Sequence, residues 1–173
     1  MKLRPTHTMN RHLGQLKPYK IPDGFTLIVD TREQVQLFTD PIPGLTIIHH
    51  VLKNGDYSIK GFEDKFSIER KMISDFYGYI GKERKKTMKK MNRFRDMVLA
   101  GGFVGLAIEC SEEEIMYGYY MSQLSPEVAR QAINSFIIRY GVHVYMNKDR
   151  KCIKRYILDK AIKFYNIQRE VTP

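Results

Sequence analysis

Cysteine is scarce in this chain: 173 residues carry only Cys110 and Cys152, with no CxxC pair and no Cys/His ligand spacing. That excludes a disulfide scaffold and fits two reduced thiols in a cytoplasmic protein. No apolar run approaches the roughly 20 residues of a membrane span, and the opening MKLRPTHTMNRHLG lacks the apolar centre of a secretion signal. A soluble, non-secreted chain is therefore expected. Repeats and low-complexity tracts are absent as well. Acid is in short supply, with 19 Asp and Glu against 29 Lys and Arg, a formal net charge of +10 and a pI near 9.6. Such a surplus favours a polyanionic partner, nucleic acid ahead of a membrane surface. With 43% hydrophobic residues the chain is long enough to bury roughly 70% of its unfolded surface in one domain.

The surplus is concentrated. Residues 1–24 hold Lys2, Arg4, Arg11, Lys17 and Lys20 against Asp23, with little apolar periodicity, and read as an extended or mobile basic arm. Residues 82–95, KERKKTMKKMNRFR, hold eight basic groups against Glu83, and residues 148–163 seven against two acids. Everything else is acidic on balance.

The periodicities predict a buried strand in FTLIVD (25–30) and a β-branched strand in TIIHHVL (46–52) that enters a hairpin through Asn54-Gly55. YSIK and KFSIERK form a second hairpin around residues 61–64. An amphipathic helix is expected from Ser74 to about Ala100, with Gly78 and Gly81 as weak points. FVGLAIEC (103–110) reads as a buried strand. Ser125-Pro126 caps a helix that Gly141 ends. Val142 to Met146 is a strand, and Asp149 to about Tyr165 a last helix. Hairpins followed by alternating helix and strand suggest an α/β mixed sheet with helices on its faces.

A four-residue loop at 61–64 pairs Ile59 with Phe66, Tyr57 with Ile68, Ser58 with Ser67 and Asp56 with Glu69. This register sorts the hairpin into one apolar and one polar face. It also opposes two carboxylates with Cβ atoms about 5 Å apart, which is destabilising without a counter-charge. Lys71 projects from the same face, and a divalent cation would serve better. Hard oxygen ligands favour Mg²⁺ or Mn²⁺, and two acids, a metal and a lysine suit phosphodiester hydrolysis. The alternative is an exposed hairpin with an ordinary surface ion pair.

Taken together, VDTREQ (29–34), NGDYSI (54–59) and IERKMISD (68–75) resemble the nuclease domain of the XPF (xeroderma pigmentosum group F) endonuclease family, whose pattern is GD, a variable gap, ERK, three residues, then D. Here it is Gly55-Asp56, twelve residues, Glu69-Arg70-Lys71, Met72-Ile73-Ser74, Asp75. The resemblance spans about residues 26–166 and is nearest the compact bacterial and phage-type members, with YIGKER matching their SIGRER-like turn. It implies a restriction-endonuclease-like fold of the PD-(D/E)XK type, a single domain with a central mixed β-sheet flanked by α-helices over residues 25–166 and a short tail at 167–173. By position it implies Asp56 and Glu69 as metal ligands, Asp30 as a further acid at the metal, and Lys71 as the catalytic lysine. Arg32, Glu33, Arg70 and Asp75 would orient the site or contact phosphate.

Two departures stand out. No helix-hairpin-helix module follows the domain, and Met88 stands where many members have a glutamine. Arg84, matching the family's helix arginine, lies on the apolar stripe Ile80, Met88, Met91 and calls for the acidic cluster or a phosphate as partner, unless it reaches solvent from the stripe's edge. Lys82, Lys86, Lys90 and Lys85, Lys89, Arg93 form two like-charged rows that an anionic strand would relieve, the alternative being a solvated face. His49, His50 and His143 lack ligand spacing. Tyr117, Tyr119 and Tyr120 suit core packing or a surface loop more than stacking on bases.

The expectation is a metal-dependent DNA endonuclease acting on branched or structured DNA, without nucleotide cofactor or membrane partner. A homodimer or partner subunit is implied by the family. The competing expectations are a non-catalytic DNA-binding or scaffolding subunit and a nuclease active only with a partner.

Overall fold

The computed structural model describes residues 17–171. The part of the basic arm that carries Lys2, Arg4 and Arg11 lies outside the described residues. Six strands and five helices follow in the order β1 (Thr26–Asp30), β2 (Thr46–His50), β3 (Tyr57–Ile59), β4 (Phe66–Met72), α1 (Ile73–Ile80), α2 (Arg84–Leu99), β5 (Phe103–Glu109), α3 (Glu112–Tyr117), α4 (Pro126–Tyr140), β6 (His143–Met146) and α5 (Arg150–Val171).

The strands make one mixed sheet in the order β2-β1-β3-β4-β5-β6. β3 runs against its neighbours β1 and β4, whereas β1–β2, β4–β5 and β5–β6 are parallel pairs. One edge of the sheet therefore gathers the carboxyl ends of five strands and the amino end of β3, the usual place for a ligand in an α/β sheet. Two cores flank the sheet. One packs α1, α2 and α4 against Val104, Leu106 and Ile108, and the other packs α5 against Leu27, Tyr57, Phe66 and Ile68.

Tyr57 faces Ile68 across the β3–β4 hairpin, the expected register. Thr46–His50 does not hairpin onto β3 through Asn54-Gly55. It is the outer strand, parallel to β1, and β1 separates it from β3. Gly55 meets a different demand. It sits at φ +71°, and a Cβ there would stand 2.2 Å from Ser67 Oγ and 2.9 Å from the Ile68 carbonyl oxygen. The backbone beside Asp56 lies against β4, and only glycine fits.

The single helix expected from Ser74 to Ala100 is two helices broken at Gly81. Gly81 leaves helical geometry at φ −98° and ψ −106°, and a Cβ would crowd the Tyr77 carbonyl and Leu124. The buried stripe of α2 runs through Thr87, Met91, Phe94 and Met97, which turns its lysine rows towards that edge of the sheet and solvent. Ser125 caps α4, Pro126 opens it, and Gly141 closes it in the left-handed conformation, as their sequence positions imply. α3 lies in a stretch where the periodicities predict no element; Ser111 and Glu114 form a reciprocal capping box at its start.

The last helix continues to Val171, past the expected end near Tyr165 and through most of the segment expected as a tail. Residues 17–24 carry no regular structure but are fastened along α5. Arg155 donates to the Lys17 carbonyl at 2.7 Å and covers the Tyr19 ring at 4.4 Å, while Tyr165 and Arg169 donate to the Asp23 carbonyl. Among the described residues no helix is long and apolar enough to cross a membrane.

Candidate active site

Alternation along β4 divides Glu69-Arg70-Lys71 between the two faces of the sheet. Glu69 and Lys71 face α2, and Arg70 points to the other side. Asp56 stands at the amino end of β3, pinned by its neighbours. Its N–H donates to the Ile68 carbonyl at 2.8 Å, its carbonyl accepts from Asp30 N–H at 2.8 Å, and its Oδ2 accepts from Arg70 N–H at 2.7 Å. The GD and ERK segments are thus locked together by main-chain bonds.

Glu69 is buried, with 1% of its side chain exposed, and its Oε1 receives Lys71 Nζ at 2.8 Å and Lys90 Nζ at 2.7 Å. Its Oε2 has no hydrogen-bond partner among the described residues. Both ammonium groups also lie over the Tyr79 ring, at 5.4 and 5.7 Å from its centroid. Burial works to raise the Glu69 carboxyl, but the two lysines prevail and hold it below the ordinary carboxylate range. Asp56 lacks such a partner, and burial together with the Glu69 charge pushes it up to about 7. Lys71 is raised by Glu69 and Asp56 against the opposing effect of burial. Both lysines bond Glu69, while Asp56 Oδ2 meets the Arg70 N–H.

Asp30 is close in the backbone but differently engaged. Oδ1 accepts from Arg32 N–H and Nε, both at 2.8 Å, and Oδ2 accepts from Arg32 Nη2 at 2.8 Å and Leu52 N–H at 2.7 Å. All four acceptor positions of the carboxylate are filled, and Arg32 above all holds it at about 2. Among the described residues no three acid, histidine or cysteine side chains converge as a metal cluster. The three-acid set of Asp30, Asp56 and Glu69 is not assembled, because Asp30 is turned to Arg32 and Leu52.

The opposite face is an anchor. Arg70, only 3% exposed, bonds Glu109 at 2.6 Å and Glu33 at 3.1 Å and donates to the Val35 carbonyl; Glu109 also binds Arg150 at 3.0 Å. Arg70 therefore fastens β4 to β5, to the loop after β1 and, through Glu109, to the start of α5, leaving it no freedom to hold a phosphate. Asp75, exposed in the first turn of α1, stands between two clefts that share Lys71. One, of about 250 Å³, is lined by Tyr79, Lys82, Lys86 and Lys90; the other, of about 230 Å³, by Arg32, Glu33, Asp56 and Arg70.

The two lysine rows of α2 separate accordingly. Lys82, Lys86 and Lys90 line the cleft, while Lys85 and Lys89 are exposed beside it and Arg93 donates to Asn54 Oδ1 at 3.0 Å. Arg84 is not at the acidic cluster. It is exposed, makes no salt bridge among the described residues, and borders an apolar cleft of about 330 Å³ with Met88, Phe136 and Tyr140. His49 and His50 are exposed on the outer strand. Sequence spacing did not reveal Tyr79, Glu109 or Arg150, nor that Lys90 reaches Glu69. The one signal available was the Glu that ends β5, next to an arginine on β4.

No family model matches the chain, and no curated protein does. Solved structures are similar to it. It superposes on XPF from Aeropyrum pernix with a TM-score of 0.59 at 20% identity, over 86% of this chain and 62% of that one. The same protein in complex with DNA gives 0.60 at 19% identity, over 83% and 66%. The chain thus has an XPF-like nuclease fold and spans somewhat less than two thirds of the length of the chains it matches.

Proposed function

We propose that this chain, with its XPF-like nuclease fold, is an endonuclease that hydrolyses phosphodiester bonds in branched or structured DNA with Mg²⁺ or Mn²⁺. The observation that carries the reading is that Asp56 and Glu69 adjoin the Tyr57–Ile68 pair of the β3–β4 hairpin, with Lys71 on Glu69 and a lysine-lined cleft alongside. The donor set fits a hard divalent cation: two carboxylates, one with a buried oxygen unpartnered among the described residues and the other driven up to about 7 by burial and the neighbouring Glu69 charge. Asp56 and Glu69 would hold it, and Asp30 would join them only when Arg32, whose side chain is 68% exposed, exchanges it for a phosphate. A cation bound there would supply charge to polarise the phosphate and acidify an attacking water.

The chain's own groups have separate tasks in this reading. Lys71, kept protonated by the two acids, orients the water or meets the charge that develops on the phosphate oxygens. Lys82, Lys86 and Lys90 hold the backbone on one side of the cleft, with Lys85, Lys89 and Arg93 extending the contact along α2. Arg70, Glu33 and Glu109 keep β4 rigid beneath them.

Incubation with flap, fork, bubble, single-stranded and duplex DNA in Mg²⁺ and in Mn²⁺ tests the reading. Cleavage of at least one substrate is expected, lost in Asp56→Asn and Lys71→Ala. Cleavage surviving in both variants overturns the site, and DNA binding without cleavage of any substrate favours a scaffolding role.

A further inference from the structure

A groove of about 850 Å³ opens from the catalytic cleft on the side away from the acids. Ser74, Gly78 and Lys82 border both spaces, so the two are continuous. One wall carries Lys82 and Arg84, the opposite wall Tyr119, Met121 and Leu124, and no acidic side chain lines it. Beyond the rim the chain exposes an aromatic and sulfur-rich segment. Tyr117 is 86% exposed, Tyr120 89% and Met121 69%, a costly display for an isolated surface.

The segment is held in place rather than left loose. α3 ends at Tyr117, and Gly118 at φ +96° turns the chain against Pro126. Tyr119 then leans on Tyr77 with ring centroids 5.5 Å apart, and Tyr120 meets Tyr119 edge-on at 5.4 Å. The result is an anchored ring, Tyr119, that lines the groove with Lys82 and Arg84, and an exposed ring, Tyr120, mounted on it. Flat exposed rings beside a cationic track match one ligand chemistry, a strand whose bases are unstacked and whose backbone is anionic. Paired bases keep their faces covered and could not use the tyrosines.

We propose that the groove between α1 and the 118–124 loop binds single-stranded DNA, with Tyr120 and Met121 as the stacking platform and Lys82 and Arg84 as its backbone contacts. The inference deepens the nuclease reading, since this strand would be the unpaired arm leading to the phosphate at Asp56 and Glu69. An unpaired arm seated here places the junction of a branched molecule at the acidic edge.

The test is fluorescence anisotropy in EDTA with a labelled oligothymidylate and a blunt duplex of equal length. Tyr120→Ser combined with Met121→Ser should weaken the oligothymidylate by about tenfold and the duplex by less than about twofold, as loss of one stacked base requires. The salt dependence should stay the same, whereas Lys82→Gln should reduce its slope by about one charge. A 2-aminopurine in the single strand should be quenched by the parent protein and released in the double variant. Equal losses on both ligands, no loss on the single strand, or a fall in sedimenting mass on removing the two side chains would overturn the proposal, the last by showing a contact between copies. None of these readouts needs cleavage, so a chain that prefers single strands but never cuts DNA counts against the nuclease reading alone.

Discussion

Replacing Asp56 with asparagine should make the protein more stable while it abolishes cleavage. The carboxyl is held at about 7 against an ordinary 3.8, chiefly by burial and by Glu69, which corresponds to about 4 kcal/mol of unfavourable ionisation. Asparagine keeps the side-chain oxygen that accepts from Arg70 N–H at 2.7 Å and loses only the charge. Burying its amide returns part of the gain, leaving about 2–3 kcal/mol at pH 8. Because the folded-state value lies above the unfolded one, the unfolded chain ionises first as pH rises. Wild-type stability falls from about pH 4 to about pH 7 and is lowest above that. Urea denaturation in EDTA should therefore show the Asn variant ahead at pH 8 and the difference shrinking towards pH 4. Mn²⁺ at about ten times its dissociation constant should add about 1.4 kcal/mol to the wild type and little to the variant. An equal gain at both pH values, no gain at all, or equal Mn²⁺ stabilisation of the two proteins would refute the argument that Asp56 is buried beside Glu69 at a metal site.

Lys71→Met should lower the single-turnover cleavage rate by roughly 10²-fold or more while leaving duplex affinity in EDTA within about twofold, because Lys82 and Lys86 still line the cleft. Arg70→Met leaves Glu33, 13% exposed, without its ion pair and Glu109, 9% exposed, with Arg150 alone, and should destabilise by about 3 kcal/mol; adding Glu33→Gln should recover part of that in the same urea assay. The Asp30–Arg32 contact depresses Asp30 to about 2, so its stabilisation is present above pH 3.8 and lost as pH falls through about 2. With Arg32 largely in solvent, Arg32→Ala should cost about 1 kcal/mol at neutral pH, a cost that shrinks as pH falls through about 2.

Much of the scaffold follows from local rules. The capped α4, the strand FVGLAIE and the β3–β4 register are fixed by neighbours in sequence, by side-chain alternation and by end groups. The errors fall where distant contacts decide. Asn54-Gly55 has the composition of a hairpin turn, but Gly55 is needed because β4 passes within 2.9 Å of where its Cβ would stand, a demand invisible in the dipeptide. At Gly81, where the helix breaks, a Cβ would crowd Leu124, forty-three residues away. At the site, spacing placed Asp56, Glu69 and Lys71 together. It could not show that Lys90 on another element would reach Glu69, that Arg32 would occupy Asp30, or that Arg84 would end up on the α2–α4 cleft. Pairings between elements depend on how helices dock, and the lysine run of α2 offers several equivalent candidates for each partner.

The β3–β4 hairpin separates two lengths that look linked in the sequence. Twelve residues divide Asp56 from Glu69, yet the chain doubles back and their neighbours Tyr57 and Ile68 pair across the two strands. The turn at 60–65 lies at the far end of the hairpin from the acids, and Gly61 there points into open space. Residues added in matched pairs would lengthen both strands equally and leave the carboxylates facing each other, while an odd number would need a bulge to avoid turning Glu69 to the wrong face. The spacer can therefore drift in length without touching the chemistry, and the same turn is the natural port for a dye, an affinity tag or a fused DNA-binding module.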